Sequence, residues 1–275
     1  MDLTREEFEN VRDMIRQRCG LWLADQKMSF LRSRLAARLA ATSMETVREY
    51  YYYLRYDPGG EEELCSLIES VLINETCFFR EEAQLQDLCE TIVPGLLDGS
   101  GKAGPLCLWS AACSTGEEPY TLAILLLEHP LRILPHRVAI LASDISHTAL
   151  QSARQGVYDG YSLRKVPAQY LRQYFEAHSD GRCALKDRVK QMVQFAGINL
   201  LDPMETGRIK NMDCVLCRNT LIYFDDEGKR RCVEHLYRSL NRGGFLLLGH
   251  SESLGRIPNP FEVVRLKQTI AYRRR

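Results

Sequence analysis

The stretch LCLWSAACSTGEEPYTLA, residues 106–123, decides how the chain is read. Its first six residues form a nearly continuous apolar run, too short for a helix and without the alternation of a half-exposed strand; a strand buried on both faces reads this way. Small residues follow, from Ala111 to Gly116, and then Glu117-Glu118-Pro119, where two acids and a proline favour a helix start. Working outward, VAILAS (138–143), MDCVLC (212–217) and GFLLLG (244–249) repeat the short apolar run. Helices are predicted among them at about Glu117–Glu128, Ser146–Arg154, Val166–Ala177 and Asp226–Leu240. This alternation predicts an α/β fold, a doubly wound parallel sheet with helices on both faces.

Upstream of the sheet the pattern is wholly helical. Thr4 and Glu7 form a capping box, Phe8, Val11, Ile15 and Cys19 keep helical spacing behind it, and Gly20 is a stop. A second helix spans about Gln26–Ala41 with Met28, Leu31, Leu35 and Leu39 on one stripe. A third lies between Ser43 and the breaker Asp57-Pro58-Gly59-Gly60, and a fourth covers about Glu61–Ile73. Another helix beyond Arg80 runs to about Leu97, followed by a loop over 98–105. Residues 183–199 alternate weakly, predicting a small hairpin that ends on a strand; 261–274 reads as two closing strands or a hairpin. The expected organisation is a helical domain (1–73), a linker with a connecting helix (74–105) and a sheet domain (106–275) with a β-subdomain at about 178–196.

Lys+Arg and Asp+Glu both total 36 among 275 residues, so bulk charge offers nothing to nucleic acid. The chain has no cationic leader with an apolar run, and no stretch near the roughly 18 apolar residues a bilayer span needs. A cytoplasmic protein without membrane insertion is expected. Its ten cysteines are expected as reduced, mostly buried thiols. Cys214 and Cys217 alone have ligand-like spacing, but on a strand residues three apart face opposite ways, so no metal site is expected.

In a doubly wound sheet ligands sit beyond the carboxyl ends of the strands, near the switch point. The turn at 111–120 holds one glycine, not the glycine triplet of dinucleotide enzymes, and Glu117 and Glu118 put negative charge where a pyrophosphate needs a bare helix N-terminus. A cationic ligand fits better, and S-adenosylmethionine (SAM) carries a sulfonium and an ammonium. Glu118 serves equally as a residue that favours the helix start. Asp144, ending the second strand, can accept ribose hydroxyls or cap a helix, a job for which Ser146 competes. Asn74-Glu75-Thr76-Cys77-Phe78-Phe79-Arg80 is an odd linker: the aromatics can join neighbouring regions, while Arg80 can grip a carboxylate with both arms. Arg218-Asn219, then Tyr223-Phe224, read as a site wall. His250-Ser251-Glu252 forms no hydrolase relay, because consecutive residues diverge; it closes the sheet end near the site.

Taken in order, NETCFFR, SAACSTGEEPYTLA, ASDIS, INLLD, CRNTLIYFD and LGHSES resemble the chemotaxis receptor glutamate methyltransferases, the CheR family. The resemblance covers essentially the whole chain. It implies a SAM-dependent methyltransferase with a Rossmann-like sheet domain, an N-terminal all-helical receptor-docking domain and a small β-hairpin subdomain. SAM is the implied donor, and glutamates on cytoplasmic helices of methyl-accepting chemoreceptors are the implied acceptors, giving γ-methyl esters. The implied cofactor contacts are Asn74, Thr76, Arg80, Glu117, Asp144, Asn199, Leu200, Arg218 and Asn219; the implied catalytic residues are Arg80 and Tyr223. Cys77, Cys113 and Ser146 depart slightly from the family strings and remove none of these roles.

A glutamate with a reference pKa of about 4.3 is already ionised near neutrality, so the reaction asks mainly for orientation. On the second helix Arg34 and Arg38 share an i,i+4 stripe flanked by Arg32, suited to docking on a glutamate-bearing coil; the same residues also read as an ordinary solvated face. Two other readings are a methyltransferase for a small molecule or a non-receptor protein, and a non-catalytic SAM-sensing or receptor-docking module. The helical domain speaks against a small-molecule acceptor, and the intact Arg80 and Tyr223 against the non-catalytic module. A monomer is expected, and the short turn at Ser179–Arg182 points away from a tether to a receptor C-terminal peptide.

Overall fold

The Oγ of Thr4 accepts the Glu7 N–H at 3.2 Å, and the Glu7 carboxylate accepts the Thr4 N–H at 2.9 Å. This reciprocal cap starts α1 (Arg5–Cys19), which stops at Gly20 in a left-handed conformation. The computed structural model describes residues 2–99, 104–129, 135–255 and 257–275. The chain forms two units, Met1–Ile73 with Tyr223–Gly228, and Asn74–Ile222 with Lys229–Arg275.

In the first unit α2 (Met28–Thr42), α3 (Val47–Tyr56) and α4 (Gly60–Val71) follow α1. Phe8, Val11, Ile15, Leu31, Leu35, Leu39, Tyr50 and Leu67 are buried, as helical periodicity requires of the inward stripes. Among the described residues of this unit one charged side chain is buried with them: Glu63 receives the Arg38 Nε at 2.8 Å and the Tyr50 hydroxyl. The segment 223–228 belongs here through an antiparallel bridge between Leu21 and Phe224.

The second unit opens with α5 (Glu82–Asp87), a wide π-helical turn at Leu88–Ile92 and α6 (Val93–Gly99), along the course of one predicted helix. The widening has a cause in Pro94. Its ring would meet the carbonyl four residues back, and the turn just before it lets the Val93 N–H bond the Leu88 carbonyl five residues back. Residues 100–103 of the loop expected at 98–105 lie outside the described residues.

The strands are β1 (Leu106–Ala111), β2 (Val138–Asp144), β3 (Val157–Tyr158), β4 (Phe175–Ala177), β5 (Cys183–Leu185), β6 (Val193–Gly197), β7 (Met212–Cys217), β8 (Leu240–Leu248), β9 (Phe261–Arg265) and β10 (Ile270–Arg274). Among the described residues the main sheet runs β6-β2-β1-β7-β8-β10-β9. Its first five strands are mutually parallel, and β10 is antiparallel to both β8 and β9. Between strands lie α7 (Glu117–Glu128), α8 (His147–Gln155), α9 (Gly160–Leu163), α10 (Ala168–Tyr174), α11 (Asp187–Lys190), α12 (Pro203–Thr206) and α13 (Asp226–Ser239). This is a Rossmann-like sheet. The chain winds from β1 to β2 on one side and to β7 on the other, which places the switch point at the carboxyl end of β1.

The β-subdomain differs from its expected course. Its sheet has the order β3-β5-β4 and spans 157–185, whereas the expected range was about 178–196. The run 193–197 leaves it for the edge of the main sheet, where Ile140 pairs with Val193. The helical turn α11 interrupts what looked like continuous alternation. Likewise the helix predicted to Ala177 ends at Tyr174, because Phe175 pairs with Leu185 and packs edge-on against Phe78 at 5.2 Å.

All ten cysteines are free thiols, seven of them buried. No helix among the described residues is long and apolar enough to cross a membrane.

Candidate active site

Four loops at the carboxyl ends of β1, β2, β6 and β7 carry most of the sequence-singled residues. The turn after β1 alternates into the left-handed region at Ala112 (φ 62°), Ser114 (φ 50°) and Gly116 (φ 92°). Two of these are not glycine, and such positions cost about 1–3 kcal/mol each, so surrounding contacts must hold them. Asp144 at the end of β2 is one: its Oδ2 accepts the Ser114 N–H at 2.7 Å, and its Oδ1 accepts the Ser146 N–H at 2.9 Å. Ser146 takes the helix-cap role, accepting the Ala149 N–H at 3.0 Å. Gly116 is required as glycine, since a Cβ there would lie 2.9 Å from the Ala153 Cβ.

Glu117, 1% exposed, places its carboxylate against two hydroxyls, Thr115 at 2.6 Å and Ser162 at 3.0 Å. Burial pushes this carboxyl above its ordinary value, and the hydroxyls only partly oppose the shift. A carboxylate buried with neutral partners is best offset by a cation.

Glu118, left open between ligand and helix-start roles, has neither as its main contact. It receives the Ser110 hydroxyl at 2.7 Å and the Arg218 Nη1 at 2.9 Å. Arg218, 2% exposed in its side chain, also donates to the Arg80 carbonyl at 2.7 Å and to the Glu81 carboxylate at 3.3 Å. Asn219 donates its side-chain amide to Glu81 at 3.1 Å. Burial alone would raise the Glu81 carboxyl, but Asn219, the His250 N–H and the Arg218 charge outweigh it and hold it below the ordinary value.

Glu252, read from the sequence only within a string that closes the sheet end near the site, has a role that sequence reasoning missed. Its carboxylate accepts the backbone N–H groups of Asn219 (2.6 Å), Thr220 (2.8 Å), Ile222 (3.3 Å) and Gly249 (2.7 Å). It pins the loop after β7, a role no local pattern announces because three of its donors lie about thirty residues away. Gly249 permits this approach: a Cβ would fall 2.8 Å from the Asn219 nitrogen.

The NETCFFR string is anchored by its aromatics. Phe78 meets Tyr158 edge-on at 4.8 Å, Phe79 stacks on Tyr170 at 5.7 Å, and the Phe79 N–H donates to the Thr121 hydroxyl at 3.0 Å. Phe79 (φ 57°) and Glu81 (φ 51°) flank Arg80 with left-handed backbone, which fixes the direction of the arginine between them. The half-buried Arg80 donates from Nη1 to the Glu75 carbonyl at 2.9 Å and has no carboxylate partner among the described residues. Exposed Asn74 joins the first turn through its carbonyl, which accepts the Ser114 hydroxyl at 3.2 Å; Thr76 is half-buried nearby in the string.

Beyond β6, the Asn199 Oδ1 accepts the Leu201 N–H at 3.0 Å, its own N–H donates to Glu205 at 2.6 Å, and the preceding Ile198 N–H donates to the Asp144 carbonyl at 3.0 Å. The Leu200 carbonyl contacts the His235 Nδ1 at 2.9 Å. Asn74, Thr76, Arg80, Glu117, Asp144, Asn199, Leu200, Arg218 and Asn219 thus share the sheet unit, whereas Tyr223 belongs to the helical unit. On α2, Arg32 and Arg34 are exposed, Arg34 lying 4.9 Å over the Phe30 ring, but Arg38 is engaged by Glu63 inside its own unit.

The family model described as CheR methyltransferase, SAM binding domain, matches residues 74–270, and that described as CheR methyltransferase, all-alpha domain, matches 6–72. The chain belongs to the CheR methyltransferase family. Relatives of this CheR-family protein include chemotaxis protein methyltransferase 2 of Vibrio cholerae, 39% identical over 98% of the chain and 93% of the relative. Chemotaxis protein methyltransferase 1 of Pseudomonas aeruginosa is 32% identical over 99% of both. The chemotaxis protein methyltransferase of Vibrio parahaemolyticus is 34% identical over 98% of both. This member of the family is accordingly a SAM-dependent methyltransferase with an all-helical N-terminal domain.

Proposed function

We propose that this CheR-family protein methylates side-chain carboxylates of glutamates on the cytoplasmic helices of chemoreceptors, forming γ-methyl esters. The observation that carries the acceptor is Arg80. A half-buried guanidinium whose one hydrogen bond among the described residues goes to a backbone carbonyl keeps further donors in a geometry that suits a carboxylate. The relatives named as chemotaxis protein methyltransferases support the receptor as its source.

The residues beyond β1 and β2 suit SAM. Glu117 offers buried negative charge to a cationic ligand, and Asp144 places a carboxylate at the end of β2, where sheets of this type bind ribose hydroxyls. Asn74, Thr76, Asn199 and Leu200 complete the cofactor set, while Arg218 and Asn219 act through the loop they fix to Glu81 and Glu118. When bound, SAM supplies an electrophilic methyl on a sulfonium that needs no acid to leave.

The protein's remaining task is orientation and dehydration of a weak nucleophile that is already ionised. Arg80 holds the acceptor carboxylate, and Tyr223 is the second residue assigned to the transfer, as the one that orients the acceptor. Arg32 and Arg34 on α2 attract a glutamate-bearing coil; Arg38 instead secures α2 to α4.

Incubation with methyl-labelled SAM and purified receptor cytoplasmic fragments, followed by alkali, tests the reading. Volatile labelled methanol is expected, and label that resists alkali would contradict an ester. Arg80→Ala should lose most of the activity; near-normal turnover would remove Arg80 from the mechanism.

A further inference from the structure

The turn that follows Tyr223 is held from α1. The Trp22 N–H donates to the Tyr223 carbonyl at 2.8 Å, and Leu21 pairs with Phe224 as an antiparallel bridge. One helical turn before the end of α1, Arg16 reaches two carboxylates of the same segment, Asp225 at 2.6 Å from Nε and Glu227 at 3.1 Å from Nη2. Asp225 in turn accepts the Gly228 N–H at 2.8 Å through its other oxygen, which closes the turn locally. The Arg16 guanidinium also lies 5.7 Å over the Trp22 ring, which Arg12 covers at 4.6 Å. Backbone and side-chain contacts therefore converge on six residues that begin with Tyr223.

Stability is a poor reason for such an arrangement. The Arg16 side chain is 36% exposed, Asp225 21% and Glu227 59%, and ion pairs at such exposure contribute little to folding. A planar guanidinium spread over two carboxylates on one turn does restrict that turn's orientation. Tyr223 is the residue at the head of the restrained segment, and transfer reactions are sensitive to misplacement on the ångström scale.

We infer that Arg16 is a positioning residue for methyl transfer, acting through Asp225 and Glu227 to hold Tyr223, so that the helical unit contributes to turnover as well as to docking. This rests on the reading of Tyr223 as the residue that orients the acceptor.

Steady-state kinetics with labelled SAM and a receptor fragment test it on the full chain, using Arg16→Ala, Arg16→Lys, Tyr223→Phe and the double variant Arg16→Ala/Tyr223→Phe. Arg16→Ala should lower kcat about tenfold, with the acceptor KM and the SAM Kd within about twofold. Arg16→Lys, which keeps the charge but loses the fork, should recover part of kcat. The double variant should be no slower than Tyr223→Phe alone, since residues acting through one another are not additive. Unchanged kcat in Arg16→Ala, an effect confined to acceptor KM, or fully additive losses would overturn the inference. If Arg16→Ala folds poorly, Asp225→Asn breaks the same pair from the other side and must reproduce the kcat loss. A slow Tyr223→Phe beside a silent Arg16→Ala defeats the positioning role alone; wild-type kcat in Tyr223→Phe defeats both it and the reading of Tyr223.

Discussion

Arg218 Nη1 donates to Glu118 Oε2 at 2.9 Å, joining residues one hundred positions apart across the β1 and β7 loops. With Glu81 on its other arm, the buried guanidinium neutralises two carboxylates at once. Arg218→Ala would leave both without their cation, and the expected cost is about 3 kcal/mol. Denaturant unfolding of the cofactor-free protein measures it; a loss below about 1 kcal/mol would mean solvent reaches the pair freely.

Glu117 behaves in the opposite sense. Its carboxyl is held above the ordinary value by burial, so its contribution to folding is complete below the unfolded pKa and is lost as pH rises through the folded one. Above the carboxylate range, cofactor-free Glu117→Gln should therefore be at least as stable as the native chain, and on acidification the native chain should gain relative to it. Calorimetric titration should show SAM affinity of the variant reduced about tenfold or more.

Arg38 and Arg34 separate what one stripe of sequence suggested was a single function. The Glu63 carboxyl is pressed upward by burial but held below its ordinary value by Arg38 and Tyr50, so its stabilisation is present above the unfolded pKa and disappears as pH falls through the folded one. Arg38→Ala should cost about 2 kcal/mol and flatten that acid dependence in thermal melts. Arg34→Glu with Arg32→Glu should leave stability within about 0.5 kcal/mol yet slow receptor methylation, with the difference shrinking as salt is raised.

Gly116→Ala tests the turn itself. The added methyl would sit 2.9 Å from the Ala153 Cβ at a φ of 92°, with the Tyr158 hydroxyl at 3.2 Å. A destabilisation of about 2 kcal/mol is expected, together with weaker SAM binding; an unchanged thermal midpoint and affinity would show that the turn relaxes without consequence.

What the sequence disclosed follows from range. The Thr4–Glu7 cap, the buried strand before Glu117 and the stop at Gly20 depend on neighbours a few residues away, and periodicity carries them. The three short strands of the small sheet do not: Val157 is extended because Ala184 lies opposite, and nothing within its own neighbourhood demands it. The site divides the same way. Arg80, Glu117 and Asp144 stood out by residue type and by their places in a linker, at a helix start and at a strand end, whereas Glu252 belonged only to a string closing the sheet end until the amides of Asn219, Thr220 and Ile222 were found on it.

The return of Tyr223–Gly228 to the helical unit bears on how such a chain can be cut and recombined. A break after Ile73 follows the boundary that sequence composition suggests, but the excised fragment 74–275 would carry six residues whose bonding partners, Arg16, Leu21 and Trp22, stay with the other piece. Exchanging helical domains between relatives to redirect receptor choice would therefore also exchange the mounting of Tyr223, and chimeras that swap 223–228 together with the helices should outperform those joined at residue 73 alone.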